Sequence, residues 1–221
     1  MTRRNRIAYA AALAAGALLL TSCGGGGDDT VDDEIAGAQT TAEDTPEPEP
    51  SEDPAPTEPA DDDRPEIDLG PDLENVYESE VSGGPEVDAI VESLQGFNDA
   101  VDEAIVSREN DRPALRYYIA GEALDRTVRI LDSMYEDGHT SAGKAHYVIR
   151  EVNLVDETSA TFSYCRDYSE TVTLDVNTGE IVEPAEPGAV PDLFFGRVKL
   201  NTDGVWQAVD YDLEPNAAEC A

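Results

Sequence analysis

Apolar residues recur at Val87, Ile90, Val91, Leu94, Phe97, Val101 and Ile105. Steps of three and four predict an amphipathic helix. Pro85, after Gly83-Gly84, suits its first turn. Asp88, Glu92, Asp99, Asp102 and Glu103 are assigned to its solvated face. Arg108-Glu109-Asn110-Asp111 ends the pattern, and Asp111 is the expected cap of a second helix with Pro113 in its first turn. Leu115, Tyr118, Ile119, Leu124, Val128, Leu131 and Tyr135 continue at helical spacing. Gly121 is expected to split this stretch, and Asp137-Gly138 to stop it.

Beyond that point the period changes to two. Residues 145–155 are rich in β-branched side chains, with His146, Val148, Arg150, Val152 and Leu154 on one face. Residues 160–166 alternate again, and 170–176 follow. Asn177-Thr178-Gly179-Glu180 predicts a turn returning through Ile181-Val182. After a loop with Pro184, Pro187 and Pro191, strands are predicted at 194–200 and 205–211 around Asn201-Thr202-Asp203-Gly204. Helices first and consecutive strands afterwards predict an α+β fold, with N-terminal helices packed on a curved antiparallel sheet.

The preceding part of the chain has neither period. Ile7 to Leu20 is an apolar run behind Arg3, Arg4 and Arg6. It is shorter than the ~20 residues of a spanning helix and fits the ~7–15 of a signal-peptide core. Gly24 to Gly27 follow, then a stretch dominated by Pro, Asp and Glu that reads as a disordered, extended tether. Three segments result: a signal peptide at 1–22, a linker at 23–84, and a folded domain at 85–221.

Charge sharpens this division. The chain has 221 residues and a formal net charge of −35. Residues 24–80 hold 21 acids against one base, and residues 81–221 hold 28 against ten. Such an acidic chain has no electrostatic means of gripping nucleic-acid phosphates or anionic lipid head groups. Its surface charge predicts a soluble monomer. With two His and three Cys, and no Cys-x-x-Cys, no metal site or cofactor is expected. Asp175 to Glu180 lacks the donors of a calcium loop and reads as the hairpin turn.

Two resemblances add to these readings. Leu20-Thr21-Ser22-Cys23, directly after the apolar run, resembles the lipobox of bacterial lipoproteins. It implies lipidation of the Cys23 thiol, cleavage before it, and anchoring at the extracytoplasmic face of the cell membrane. Export by the general or the twin-arginine route stays open. With Cys23 committed to lipid, Cys165 and Cys220 leave one pairing, a disulfide that an exported setting permits; the alternative is two free thiols. Helices before a sheet, with the ending Asn201-Thr202-Asp203-Gly204-Val205-Trp206-Gln207-Ala208-Val209, resemble the NTF2-like (cystatin-like cone) fold. The whole chain is similar to actinobacterial surface lipoproteins.

That fold implies a pocket between helices and sheet. In its isomerase and cyclase members an Asp or His base works there with Tyr donors. Tyr117, Tyr118, Tyr135, Tyr147, Tyr164, Tyr211, His146 and Asp210 are the residues to test, with Asp212 placed in solvent; none matches a catalytic motif. The expectation is therefore a non-catalytic surface lipoprotein. Its domain is expected to bind a cell-envelope protein or a small ligand. The alternative is a small ketosteroid-isomerase-like or SnoaL-like enzyme with a general base in the cone.

Overall fold

The computed structural model describes residues 64–221, all within one of the chain's two units. The signal peptide, Cys23 and most of the tether lie outside the described residues. Strand β1 (Leu73–Ser79) comes first, then helices α1 (Pro85–Ser107), α2 (Pro113–Tyr118) and α3 (Gly121–Glu136). Strands β2 (His139–Asp156), β3 (Ser159–Asp175), β4 (Ile181–Glu183), β5 (Asp192–Leu200) and β6 (Trp206–Glu214) follow, and a 3-10 turn (Ala218–Cys220) ends the chain. The sheet runs β1-β2-β3-β5-β6, with β4 on the far half of β3. Helices packed against a curved mixed sheet make this an α+β fold.

Three readings of the sequence are corrected. First, β1 lies inside the stretch assigned to the linker and pairs with β2 in parallel, Leu73 opposite Gly143 through Ser79 opposite Ile149. A parallel pair needs a long crossover, which the three helices supply. The sheet is thus mixed, not antiparallel throughout. Only Leu73 of β1 is fully buried, and acids alternate with its inward positions, so its period of two is faint. Second, the separate strands predicted at 160–166 and 170–176 are one 17-residue strand, Ser159–Asp175, because β5 and β4 pair successively along the same edge of β3. Third, the residue capping α2 is Arg112, not Asp111.

The long β2–β3 pairing shifts register at Lys144/His146, Ile149/Glu151 and Leu154/Asp156. Such irregularities bend strands and raise their twist. Ala145, Tyr147 and Ile149 face the helices from β2, and Ala160, Phe162 and Tyr164 from β3. They meet Ile90, Leu94, Phe97 and Ala104 of α1, Leu115 of α2 and Leu131 of α3. Gly96 is the close-approach point between α1 and α2. A Cβ there would run into the Tyr118 ring, so no larger residue fits without displacing that ring.

Cys165 and Cys220 are joined in a disulfide, Cα atoms 5.7 Å apart. It ties the C-terminal turn to the middle of β3. Two hydrogen bonds reinforce it: Ala217 N–H donates to Pro191 O at 3.0 Å and Asn216 N–H to Asp192 Oδ1 at 2.8 Å. The bridge closes 55 residues of chain. Loop-closure entropy assigns such a bridge about 4 kcal/mol. The Cys165→Ala/Cys220→Ala variant is expected to unfold in urea with a free energy lower by about 2–5 kcal/mol. A midpoint equal to that of the oxidised protein would show that the bridge does not constrain the unfolded chain.

Candidate functional site

Helix α1 carries the polar residues around which the site is built. Asn98 and Asp102 share the inward stripe of Leu94 and Ile105, at 4% and 0% exposure. Glu103 is 1% exposed. Asp102 and Glu103 therefore depart from the solvated face predicted for them, whereas Asp88 and Glu92 keep it. Covering elements explain the difference: β1 and β3 close over Asp102, and the N-terminus of α2 closes over Glu103.

Each buried acid has partners. Arg166 Nη2, from β3, donates to Asp102 Oδ1 at 2.8 Å. Tyr147 OH and Asn75 Nδ2 donate to Asp102 Oδ2 at 2.8 and 2.9 Å. Asn75 Nδ2 also reaches Asp99 Oδ1 at 2.9 Å, and Tyr77 OH donates to the same oxygen at 2.7 Å. Arg112 Nη2 donates to Glu103 Oε1 at 2.5 Å, and Asp68 N–H to that oxygen at 3.2 Å. The segment ahead of α1 is thus bound to the helix through its polar side.

Electrostatics follow from this burial. Desolvation is the largest single influence on Arg166 and opposes its charge, but Asp102 together with Tyr147, Tyr168 and Tyr164 outweighs it and holds the guanidinium well above the ordinary arginine value. Burial pushes the Tyr147 and Tyr164 hydroxyls well up. Burial also raises the Asp99 carboxyl; hydrogen bonds from Asn75 and Tyr77 pull it down, and the Asp102 charge adds to the rise.

Between α1, α3 and the sheet lies a cavity of about 240 Å³. Phe97, Val101, Ile105, Leu131, Met134 and Phe194 supply most of its apolar wall. Its polar lining is Asn98, Thr127, Ser141, Arg166 and the hydroxyls of Tyr164, Tyr168 and Tyr211. Asn98 Oδ1 accepts from Tyr164 OH at 2.8 Å, and the Thr127 and Tyr211 hydroxyls pair at 3.1 Å. A more open groove of about 580 Å³ runs between β3 and the loop after β4. Cavity and groove share Ser141, Arg166 and Tyr168.

Of the residues singled out in the sequence, Tyr164 and Tyr211 line the cavity, and Tyr147 stands behind it in the Asp102 network. The others are elsewhere. Tyr117 and Tyr118 pack edge to face beside Arg64. Tyr135 OH donates to Ala104 O at 2.6 Å beneath the Arg108 guanidinium, and burial pushes its hydroxyl up to about 12. His146 stands on the other face of β2, its Nε2 3.7 Å from Glu170. Asp210 is paired with Arg197, whose Nε donates at 2.8 Å, and Asp212 with Arg126 at 3.1 Å. Asp175 Oδ1 accepts the Asn177 and Thr178 N–H groups, as expected of a turn.

The residue that sequence reasoning passed over is Arg166. Its signal was parity: residues 160, 162, 164 and 166 share one face of β3, so a cation stands in line with Ala, Phe and Tyr. A buried cation at such a position calls for a buried anion.

Two outcomes check this site. Arg166→Met leaves Asp102 charged and unpaired, and is expected to cost about 3–5 kcal/mol in denaturant unfolding. The Arg166→Met/Asp102→Asn double variant should recover most of that loss; no recovery would refute the coupling. The second concerns pH. The raised Asp99 carboxyl makes the folded state bind more protons than the unfolded one between the two pKa values. Its contribution to stability therefore falls as pH rises through that window. Asp99→Asn, which keeps an oxygen acceptor for Asn75 and Tyr77, is expected to raise stability at neutral pH and leave it unchanged well below pH 3.8. Equal effects at both pH values would refute the assignment.

No protein-family model matches the chain, and no curated protein matches it. Among solved structures, a ketosteroid isomerase-like protein from Erwinia carotovora atroseptica is 16% identical, with a TM-score of 0.41 over 61% of this chain and 99% of that one. The intermembrane space region of chloroplast protein ARC6 is 10% identical, with a TM-score of 0.41 over 61% of this chain and 99% of its own. An NTF-2 like protein of unknown function from Shewanella oneidensis MR-1 is 16% identical, with a TM-score of 0.35 over 58% of this chain and 98% of its own.

Proposed function

We propose that this chain is a lipoprotein anchored at the extracytoplasmic face of the membrane, presenting an NTF2-like domain that binds a small apolar ligand without transforming it. Three helices before consecutive strands, with a cavity between the two layers, support the NTF2-like reading. The observation that carries the binding reading is the cavity wall. Among the described residues that line it, none carries a carboxylate or an imidazole. Asp102, the acid bonded to Arg166 of that lining, has Oδ1 occupied by Arg166 and Oδ2 by Tyr147 and Asn75. A general base must be free to take a proton from substrate, and this carboxylate is committed to its neighbours. A largely apolar hollow with a few convergent polar groups is the usual form of a small-molecule site.

The anchor rests on Leu20-Thr21-Ser22-Cys23 behind the apolar run, and the acidic, Pro-rich stretch after it holds the domain away from the bilayer. As a coil, the 40 residues between Cys23 and the first described residue would have a root-mean-square span of ~35 Å, and like charges would lengthen it.

Mass spectrometry of the mature protein is expected to find acylated Cys23 at the N-terminus, and Cys23→Ser is expected to leave the chain in the aqueous fraction. A mature N-terminus without acyl mass would overturn the anchor. For the cavity, the neutral probe N-phenyl-1-naphthylamine should gain fluorescence with the protein and lose that gain in Met134→Trp, which fills the hollow. An equal gain in both would remove the cavity as the binding site.

A further inference from the structure

The cavity is apolar except where Arg166 meets it, and the state of this side chain constrains what can bind. A guanidinium has five N–H donors in one plane. In Arg166, Nη2 is spent on Asp102, and the buried Nε has no hydrogen-bond partner. Two rings lie against the guanidinium, with the Tyr147 and Tyr168 centroids 5.1 and 4.4 Å from the central carbon. Rings this close leave the donor-bearing edge as the part of the group that meets a ligand. Solvent reaches 12% of the side chain. A group must therefore sit in the hollow to use that edge, and it must accept hydrogen bonds.

Planar geometry narrows the acceptor. The edge of a guanidinium matches two oxygens on one carbon, which is why arginine favours carboxylates. Its charge is locked in place by Asp102, so the site does not lose its cation when a ligand displaces water. On the groove side, Glu183, Glu186 and Asp192 line the wall beyond Arg166. They repel an anion resting outside and leave the cavity side as the favourable approach. The rest of the hollow takes hydrocarbon. Its 240 Å³ holds roughly eight groups of water size, at about 30 Å³ each.

We propose that the cavity binds a short-chain aliphatic monocarboxylate, its hydrocarbon among Phe97, Val101, Leu131 and Phe194 and its carboxylate on the edge of Arg166. This rests on the cavity being a binding pocket. Arg166 then bridges two carboxylates, Asp102 permanently and the ligand when present. A second acid at the far end of the chain would be forced into the apolar wall, so dicarboxylates of the same length are rejected.

Calorimetric titration of the intact protein with octanoate, 1-octanol and octanedioate tests this. Octanoate is expected to bind at least tenfold more tightly than 1-octanol, and octanedioate more weakly than octanoate. In the Arg166→Met/Asp102→Asn variant the preference for octanoate over the alcohol should vanish while the alcohol still binds. Should that variant fail to fold, the ligand series on the unmodified protein decides alone. Equal affinity for octanoate and octanol overturns the carboxylate assignment and leaves the pocket reading standing. Absence of binding by every chain, together with no fluorescence gain from the neutral probe, overturns both.

Discussion

A single ion pair ties the layers of this domain together. Asp102 on α1 and Arg166 on β3 are 64 residues apart, and both are withdrawn from water. Neither charge is tolerable alone in such surroundings, since an isolated buried ion costs several kcal/mol. Tyr147 and Asn75 complete the hydrogen bonding of the carboxylate, and two tyrosine rings cover the guanidinium. The pair thereby sets the position of α1 over the sheet and draws β1 into the structure. An apolar contact in the same place would hold the layers together but would permit sliding. A directed pair with satisfied partners does not.

The cavity is a consequence of that geometry. The polar cluster occupies one end of the space between α1 and the sheet. Phe97, Leu131 and Phe194 wall the other part without filling it. Thr127 on α3 and Tyr211 on β6 pair across one side, which keeps α3 in contact with the edge of the sheet. The disulfide works from the opposite direction. Cys165 is the neighbour of Arg166, and bonding it to Cys220 immobilises the β3 backbone where the cation emerges. The bridge and the cation that lines the cavity thus sit on two consecutive residues.

Charge has separate meanings along the chain. Residues 24–80 hold 21 acids against one base. In the folded part most acids remain in solvent, but Asp102 and Glu103 have left it and Asp99 is half-buried. Asp99, Asp102 and Glu103 lie on one side of α1, and each is met by a donor from a different element. The acidic composition therefore says little about a partner. Its informative members are the few that are buried.

The sequence by itself determined the helices, the order of helices before strands, the turns at Asn177–Glu180 and Asn201–Gly204, and the pairing of Cys165 with Cys220. The helices, their order and the turns depend on local periodicity and turn chemistry; the pairing depends on the lipobox resemblance, which sets Cys23 apart and leaves two cysteines. Tertiary structure alone decided the parallel β1, the continuity of β3, and the burial of Asp102 and Glu103. It also showed that Tyr164, Tyr211 and Arg166 share a cavity while His146, Asp210 and Tyr135 are dispersed. The reason is physical: an acid on a helix is a solvated acid until a distant residue arrives to pair with it. Helical spacing placed Asp102 in phase with Leu94 and Ile105, and strand alternation placed Arg166 in phase with Tyr164. Only the fold brings those two phases face to face.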